Sequence, residues 1–222
     1  MSLQTCFDEN GSAYEIGVDE VGRGPMFGRV YTAAVVLPKD ENAFNHFMMK
    51  DSKRFHSKKK IDAAAAYIKE NAIAYSVSYE EADVIDTINI LQATQKSMHT
   101  SIKDTIKQLP PDAEIQLLID GNYFKPYSTF SKERRMFETV SHVCVEGGDN
   151  KYTSIAAASI LAKVARDQYI TDLCEQYPDL DEKYGIATNK GYGSKRHLEG
   201  IQNNGITIWH RRSFGICKKF NL

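Results

Sequence analysis

Cysteine is scarce and scattered. Cys6, Cys144, Cys174 and Cys217 lie far apart. That spacing excludes a CxxC zinc or redox motif and reads as reduced, structural thiols of an intracellular chain. The six histidines show no HExxH or paired spacing. No apolar run approaches the ~18 residues of a membrane span. The opening "MSLQTCFDENGS" lacks the basic-then-apolar order of a signal peptide. A cytoplasmic protein with no membrane partner is expected. There is no internal repeat, low-complexity tract or Pro/Ser linker, so one domain over 1–222 is expected. Net charge is -1, so bulk charge names no partner.

What is present is more specific. A chain of 222 residues with 42% hydrophobic composition can bury a core without disulfides or metals. Its basic charge is local. "KDSKRFHSKKK" (50–60) holds six Lys/Arg against one Asp, and 190–222 holds seven against one Glu. Such blocks can meet nucleic acid phosphates, or be solvated helix starts and tails.

Periodicity predicts strands at 14–21, 29–38 and 72–80, the first two antiparallel around Gly22, Gly24 and Gly28. Helices are predicted from Ser57 as N-cap, and at 88–109, where Ile90, Leu91, Thr94, Met98, Ile102 and Ile106 share one face and Pro110–Pro111 ends the run. A third follows from Thr153 or Ser154 as cap, with a small face of Ala156, Ala157, Ala158 and Ala162. "AEIQLLIDGN" and "FETVSHVCVEGGD" each read as a strand running into glycine and aspartate. The order implies a mixed α/β sheet.

Asp19, Glu20, Asp120 and Asp149 share a context: each sits where an apolar strand runs out beside glycine. Ligands of such sheets bind beyond the strand carboxyl ends. Converging carboxylates repel, and a divalent cation relieves this. All-oxygen ligands favour Mg²⁺ or Mn²⁺, and two ions ~3.5–4 Å apart suit in-line attack on a phosphodiester. Taken singly, Asp120 and Asp149 read first as turn residues, Asp149 also as a helix cap, Arg23 as a surface cation and Tyr192 as loop packing.

The strings "GVDEVGRGPMFG", "DSKRF", "NILQATQKSM", "LLIDGN", "GGDNKYTSIAAASILAKVARD", "NKGYGSKRHLEGI" and "HRRSFG" resemble, in this order, ribonuclease HII, the type 2 ribonuclease H family. The resemblance runs from about Ile16 to Phe214. It implies an RNase H-like fold, a five-stranded mixed sheet flanked by helices. It implies a catalytic core over 14–185 and a short C-terminal helical substrate-binding extension over 186–222. It implies an endonuclease that cuts the RNA strand of RNA–DNA hybrids, and 5′ of ribonucleotides embedded in duplex DNA, leaving 3′-hydroxyl and 5′-phosphate ends. The roles implied are replication and repair: ribonucleotide and RNA primer removal. The implied catalytic metal ligands are Asp19, Glu20, Asp120 and Asp149, holding two Mg²⁺ or Mn²⁺ ions. The implied substrate contacts are Gly22, Arg23, Gly24, Ser52, Lys53 and Tyr192, the last sensing the RNA–DNA junction. A monomer is expected, and recruitment by a replication clamp is left open. Phe27, Arg29 and Asn189 depart from the family's usual residues, and Arg29 reads as a phosphate contact or a surface charge. Aspartate rather than glutamate at 149, with about fifteen residues before the first strand, argues against the type 3 relatives. Two alternatives are a junction resolvase of the same fold, disfavoured by Gly22–Gly24 and "KGYG", and a silent binding module, disfavoured by four intact carboxylates.

Overall fold

The computed structural model describes residues 3–9, 11, 13–131 and 134–220; both ends of the expected 1–222 domain lie outside them. Strands β1 (Tyr14–Val21), β2 (Val30–Val36), β3 (Ala74–Glu80), β4 (Ile115–Asp120) and β7 (Ser141–Val145) form one sheet in the order β3-β2-β1-β4-β7. β1–β2 and β2–β3 are antiparallel, while β1–β4 and β4–β7 are parallel. This is the expected five-stranded mixed sheet, and it brings the ends of β1, β4 and β7 to one edge.

Layering explains why β2 is buried along its whole length. Side chains alternate between faces. Tyr31, Ala33 and Val35 meet helices α1 (Lys58–Asn71) and α3 (Thr153–Gln176). Ala34 and Val36 join Ile16, Val18, Leu117 and Ile119 under Met98 and Ile102 of α2 (Ala82–Ile106). Buried on both faces, the strand reads as a continuous apolar run.

α3 rides directly on β1. A Cβ on Gly17 would overlap the backbone of Ser154 and Ile155. Neither neighbour can yield, because both are main chain at the start of a buried helix. Gly17→Ala is expected to cost about 3 kcal/mol, the upper end of core overpacking, read as a lower denaturant midpoint at unchanged slope.

Some local expectations are corrected. Ser57 stands at the N-cap of α1 but makes no side-chain cap bond. Tyr152, not Thr153 or Ser154, is the N-cap of α3, since the Thr153 hydroxyl bonds the Thr5 carbonyl and the His46 ring instead. α2 begins earlier than the spacing predicts and breaks at Asn89 (φ 66, ψ 163), whose Oδ1 accepts from the Gln92 N–H and starts the second segment. The "FETVSHVCV" run is two strands. β6 (Met136–Thr139) pairs with β5 (Ser128–Ser131) in a separate hairpin. β7 pairs with β4 from Ser141 against Gln116 onward, and the residues of the run before it pair with β5 instead.

Helices α4 (Asp179–Tyr184), α5 (Ile186–Asn189) and α6 (Lys195–Asn204) and a 3-10 turn (Gly215–Phe220) follow. They pack through Leu180, Tyr184, Ile186, Ile201 and Cys217 on Ile170 and Leu173 of α3 and on Met26 and Phe27 of the β1–β2 loop. The departure at Phe27 is therefore a core residue, fully buried and edge-on to His210. No described helix is long and apolar enough to cross a membrane.

Candidate active site

Asp19 and Glu20 end β1, Asp120 ends β4, and Asp149 sits in a 3-10 turn (Gly148–Asn150) just past β7. Parallel pairing makes these ends neighbours. Asp120 is the common member. Its charge raises the proton affinity of Asp19, Glu20 and Asp149 alike. Burial, then Glu20 and Asp120, push Asp19 well above the usual carboxylate range. Burial also raises Glu20, opposed first by Arg23, whose Nη1 reaches Glu20 Oε1 at 3.2 Å. Asp149 is raised by burial, then by Asp51 and Asp120, and lowered by Lys53.

The alternative turn and cap readings are not what these carboxylates do. Asp120 Oδ1 accepts from the Gly148 N–H at 2.7 Å, across the strand pair rather than within its own turn. Asp149 does not cap α3. Among the described residues, no three His, Cys, Asp or Glu side chains stand ready to hold a metal ion. One oxygen of each of three carboxylates is engaged within the protein: Asp19 Oδ1 accepts the Glu20 N–H, Asp120 Oδ1 accepts the Gly148 N–H, and Glu20 Oε1 accepts from Arg23. The donor chemistry fits a hard divalent cation. Four mutually repelling carboxylates, three held above their ordinary proton affinity, lack positive charge that one arginine and one lysine do not supply.

Gly22, Arg23 and Gly24 open the β1–β2 loop, with Arg23 and Gly24 exposed. The two glycines differ in kind. Gly22 has φ +90, and a Cβ there would overlap Arg166, so the fold requires glycine. A Cβ on Gly24 would meet only the Tyr192 ring, at 3.6 Å. Tyr192 is about half exposed (49%) and so stands beside this loop. Lys53 is exposed beside the acidic centre, whereas Ser52 is buried with its hydroxyl on Ser159 Oγ at 2.9 Å. All ten candidate residues thus fall in one region, with the Ser52 hydroxyl turned inward. Arg29, by contrast, is engaged within the protein: it pairs with Glu81 at 2.6 Å and lies between the Tyr79 and Tyr169 rings. Asn189 scaffolds the next loop, donating to the Tyr184 carbonyl and accepting from the Gly191 N–H.

Residue types alone missed several partners. The Ser159 hydroxyl bonds Asp19 as well as Ser52. The Asn150 amide bridges Asp149 and Asp51. Arg166 was detectable: it continues the Ala158–Ala162 spacing on the buried face of α3.

A neutral histidine pair backs the Tyr192 loop. The Thr207 N–H donates to His210 Nδ1, His210 Nε2 lies 3.1 Å from His197 Nε2, and His197 Nδ1 lies 2.9 Å from the Tyr192 carbonyl. Burial, then His197, pull His210 down to about 3, and burial lowers His197. The unfolded chain therefore takes up protons that the folded one refuses. Their stability contribution is complete above pH 6.5 and is lost as pH falls toward 3. At pH 5, His210 alone is expected to cost about 2 kcal/mol against pH 7, measured by denaturant unfolding at both values. His210→Gln should flatten that dependence.

The family model described as Ribonuclease HII matches residues 16–217. The chain is 40% identical over 214 residues to the Ribonuclease HII of Cytophaga hutchinsonii, covering 96% of this chain and 94% of that one. Among solved structures, the ribonuclease H2 of Pyrococcus horikoshii OT3 is similar with TM-score 0.69 at 21% identity, covering 93% of this chain and 96% of that one. Bst-RNase HIII in complex with Mn²⁺ is similar with TM-score 0.67 at 21% identity, covering 95% and 70%. At such identities these two likenesses speak for the fold.

Proposed function

We propose, from the premise that the chain belongs to the ribonuclease HII family and is an endonuclease of the ribonuclease H type, that it cuts 5′ of ribonucleotides embedded in duplex DNA as well as within longer RNA–DNA hybrids. The observation that carries this reading is the meeting of Asp120 with Asp19, Glu20 and Asp149 beside the exposed Arg23–Gly24 turn. The family is divalent-metal dependent, and a structural relative was solved with Mn²⁺. Asp19, Glu20, Asp120 and Asp149 would hold two Mg²⁺ or Mn²⁺ ions. Bound there, these would supply an activated water and neutralise the charge that develops on the leaving 3′ oxygen.

The chain's own residues do the rest. Gly24, lacking a Cβ, lets the main chain come against the sugar, and its amide can meet the 2′-hydroxyl that marks RNA. Arg23 offers a fork to a phosphate. Lys53 adds charge on the far side of the carboxylates. Ser52, its hydroxyl spent on Ser159, holds that loop and offers main chain to the substrate. The Tyr192 ring stacks on the sugar beyond the ribonucleotide. Residues 14–185 carry the reaction and 186–222 grip the duplex.

The test is a duplex with one embedded ribonucleotide, incubated with Mg²⁺, Mn²⁺ or chelator, with the cut mapped. A single cut on the 5′ side, leaving 3′-hydroxyl and 5′-phosphate ends and absent in chelator, is expected. A cut elsewhere, or one indifferent to chelator, would overturn the reading. Tyr192→Ala should lower cleavage at a lone ribonucleotide about tenfold more than cleavage of a long hybrid, the size of one lost stacking contact; equal losses in kcat/KM would remove the junction role.

A further inference from the structure

Arg211 is completely buried, yet none of its guanidinium hydrogen bonds goes to a carboxylate. Nε donates to the Gly28 carbonyl at 2.8 Å, Nη1 to those of Arg23 at 3.0 Å and Pro25 at 2.8 Å, and Nη2 to that of Gly22 at 2.6 Å. Burial, then the charge of Arg166, pull it down to about 9. A buried cation without a counter-ion is costly, and all its hydrogen bonds are spent on one eight-residue loop.

The consequence follows from peptide geometry. The described peptide bonds are all trans. In a trans unit the C=O and the following N–H point in opposite directions across one plane. Arg211 turns the Gly22 and Arg23 carbonyls inward, so the Arg23 and Gly24 N–H groups face outward. Among the described residues neither N–H has an acceptor, and both residues are exposed. Two successive outward amides form a concavity suited to an anion or a hydroxyl oxygen.

We propose that Arg211 is a positioning residue for ribonucleotide recognition: from the core, it sets the Arg23 and Gly24 amides at the spacing that meets the 2′-hydroxyl and the adjoining phosphate oxygen. This rests on the reading that the Gly22–Gly24 turn grips the ribonucleotide. Lysine carries the same charge but cannot fork to separate carbonyls, so Arg211→Lys isolates orientation from charge. Asp86 provides a gentler variant. It accepts from the Arg212 and Ser213 N–H groups and the Ser213 hydroxyl, anchoring the turn that carries Arg211 from the surface. Asp86→Ala loosens that turn without opening the core.

The experiment measures three things for parent and variants: kcat/KM on a duplex with one ribonucleotide, affinity for the matched all-DNA duplex in chelator, and the orientation of the Arg23 and Gly24 N–H bonds by NMR residual dipolar couplings. Arg211→Lys should lose about a hundredfold in kcat/KM, as for a misplacement of about 1 Å. It should keep the all-DNA affinity and show changed couplings at those two amides. Asp86→Ala should move the same readouts the same way by less, and it decides the matter if the lysine variant does not fold. Equal losses on both duplexes, or a folded variant with parental cleavage and couplings, would overturn the proposal. If the parent itself does not cut the ribonucleotide duplex, the functional reading falls, and unchanged couplings in the variants still overturn the role of Arg211 separately.

Discussion

Asp120→Asn should abolish measurable turnover while leaving duplex binding close to parental. Asparagine keeps the oxygen that accepts the Gly148 N–H, so the β4–β7 edge survives. What it removes is the negative charge that Asp19, Glu20 and Asp149 all feel. Loss of a single charge-stabilising group commonly costs about 10²–10³ in turnover. A carboxylate whose charge all three other proposed ligands feel should exceed that. The basic surface at Lys53 and Arg23 is untouched, so affinity in chelator should hold. Single-turnover kinetics beside fluorescence anisotropy separate the two, and an Asp120→Asn protein that cuts at the parental rate would remove the metal assignment.

The second large effect is a split between two neighbouring glycines. Gly24→Ala meets only the Tyr192 ring in the folded chain, and restricting the unfolded chain stabilises by about 0.4–1 kcal/mol. The variant should melt at or slightly above the parent. Its methyl would project where the sugar must approach, so cleavage at a lone ribonucleotide should fall about a hundredfold. Gly22→Ala meets a left-handed backbone and the Arg166 side chain and should lose stability and activity together. A Gly24→Ala enzyme of full activity would mean that no substrate atom approaches that turn.

How much of this was legible in the sequence depends on the range of the interaction. Asp19 and Glu20 announce themselves locally, because two adjacent carboxylates at the end of an apolar strand are written in consecutive residues; Asp120 taken alone reads as a turn residue. The helical face of Met98 and Ile102 is equally local. The split of Phe137 and Val143 into different sheets was not, because strand propensity says nothing about which partner is in register. Capping at Thr153 failed because the hydroxyl found His46 and Thr5, distant in the chain. Arg211 reads as one more charge of a basic tail. Only the fold, by bringing it against Gly22, makes it a core residue. Ser159 likewise looks like a small helix residue until Asp19 and Ser52 are placed on either side of it.

The central position of β1 governs when the protein comes into being as well as what it does. β1 and β2 follow one another closely, but the parallel partner of β1 begins only at Ile115, and the helix lying on it at Thr153. A growing chain therefore carries Ile16, Val18, Asp19 and Glu20 on an open edge until the strand beginning at Ile115 has been made. Such distant pairing is slow, and an exposed apolar edge is where chains associate wrongly. Like charges opposed across a strand pair are destabilising, so Asp19 and Glu20 disfavour a second nascent copy stacking in register on that edge, because it would bring the same carboxylates.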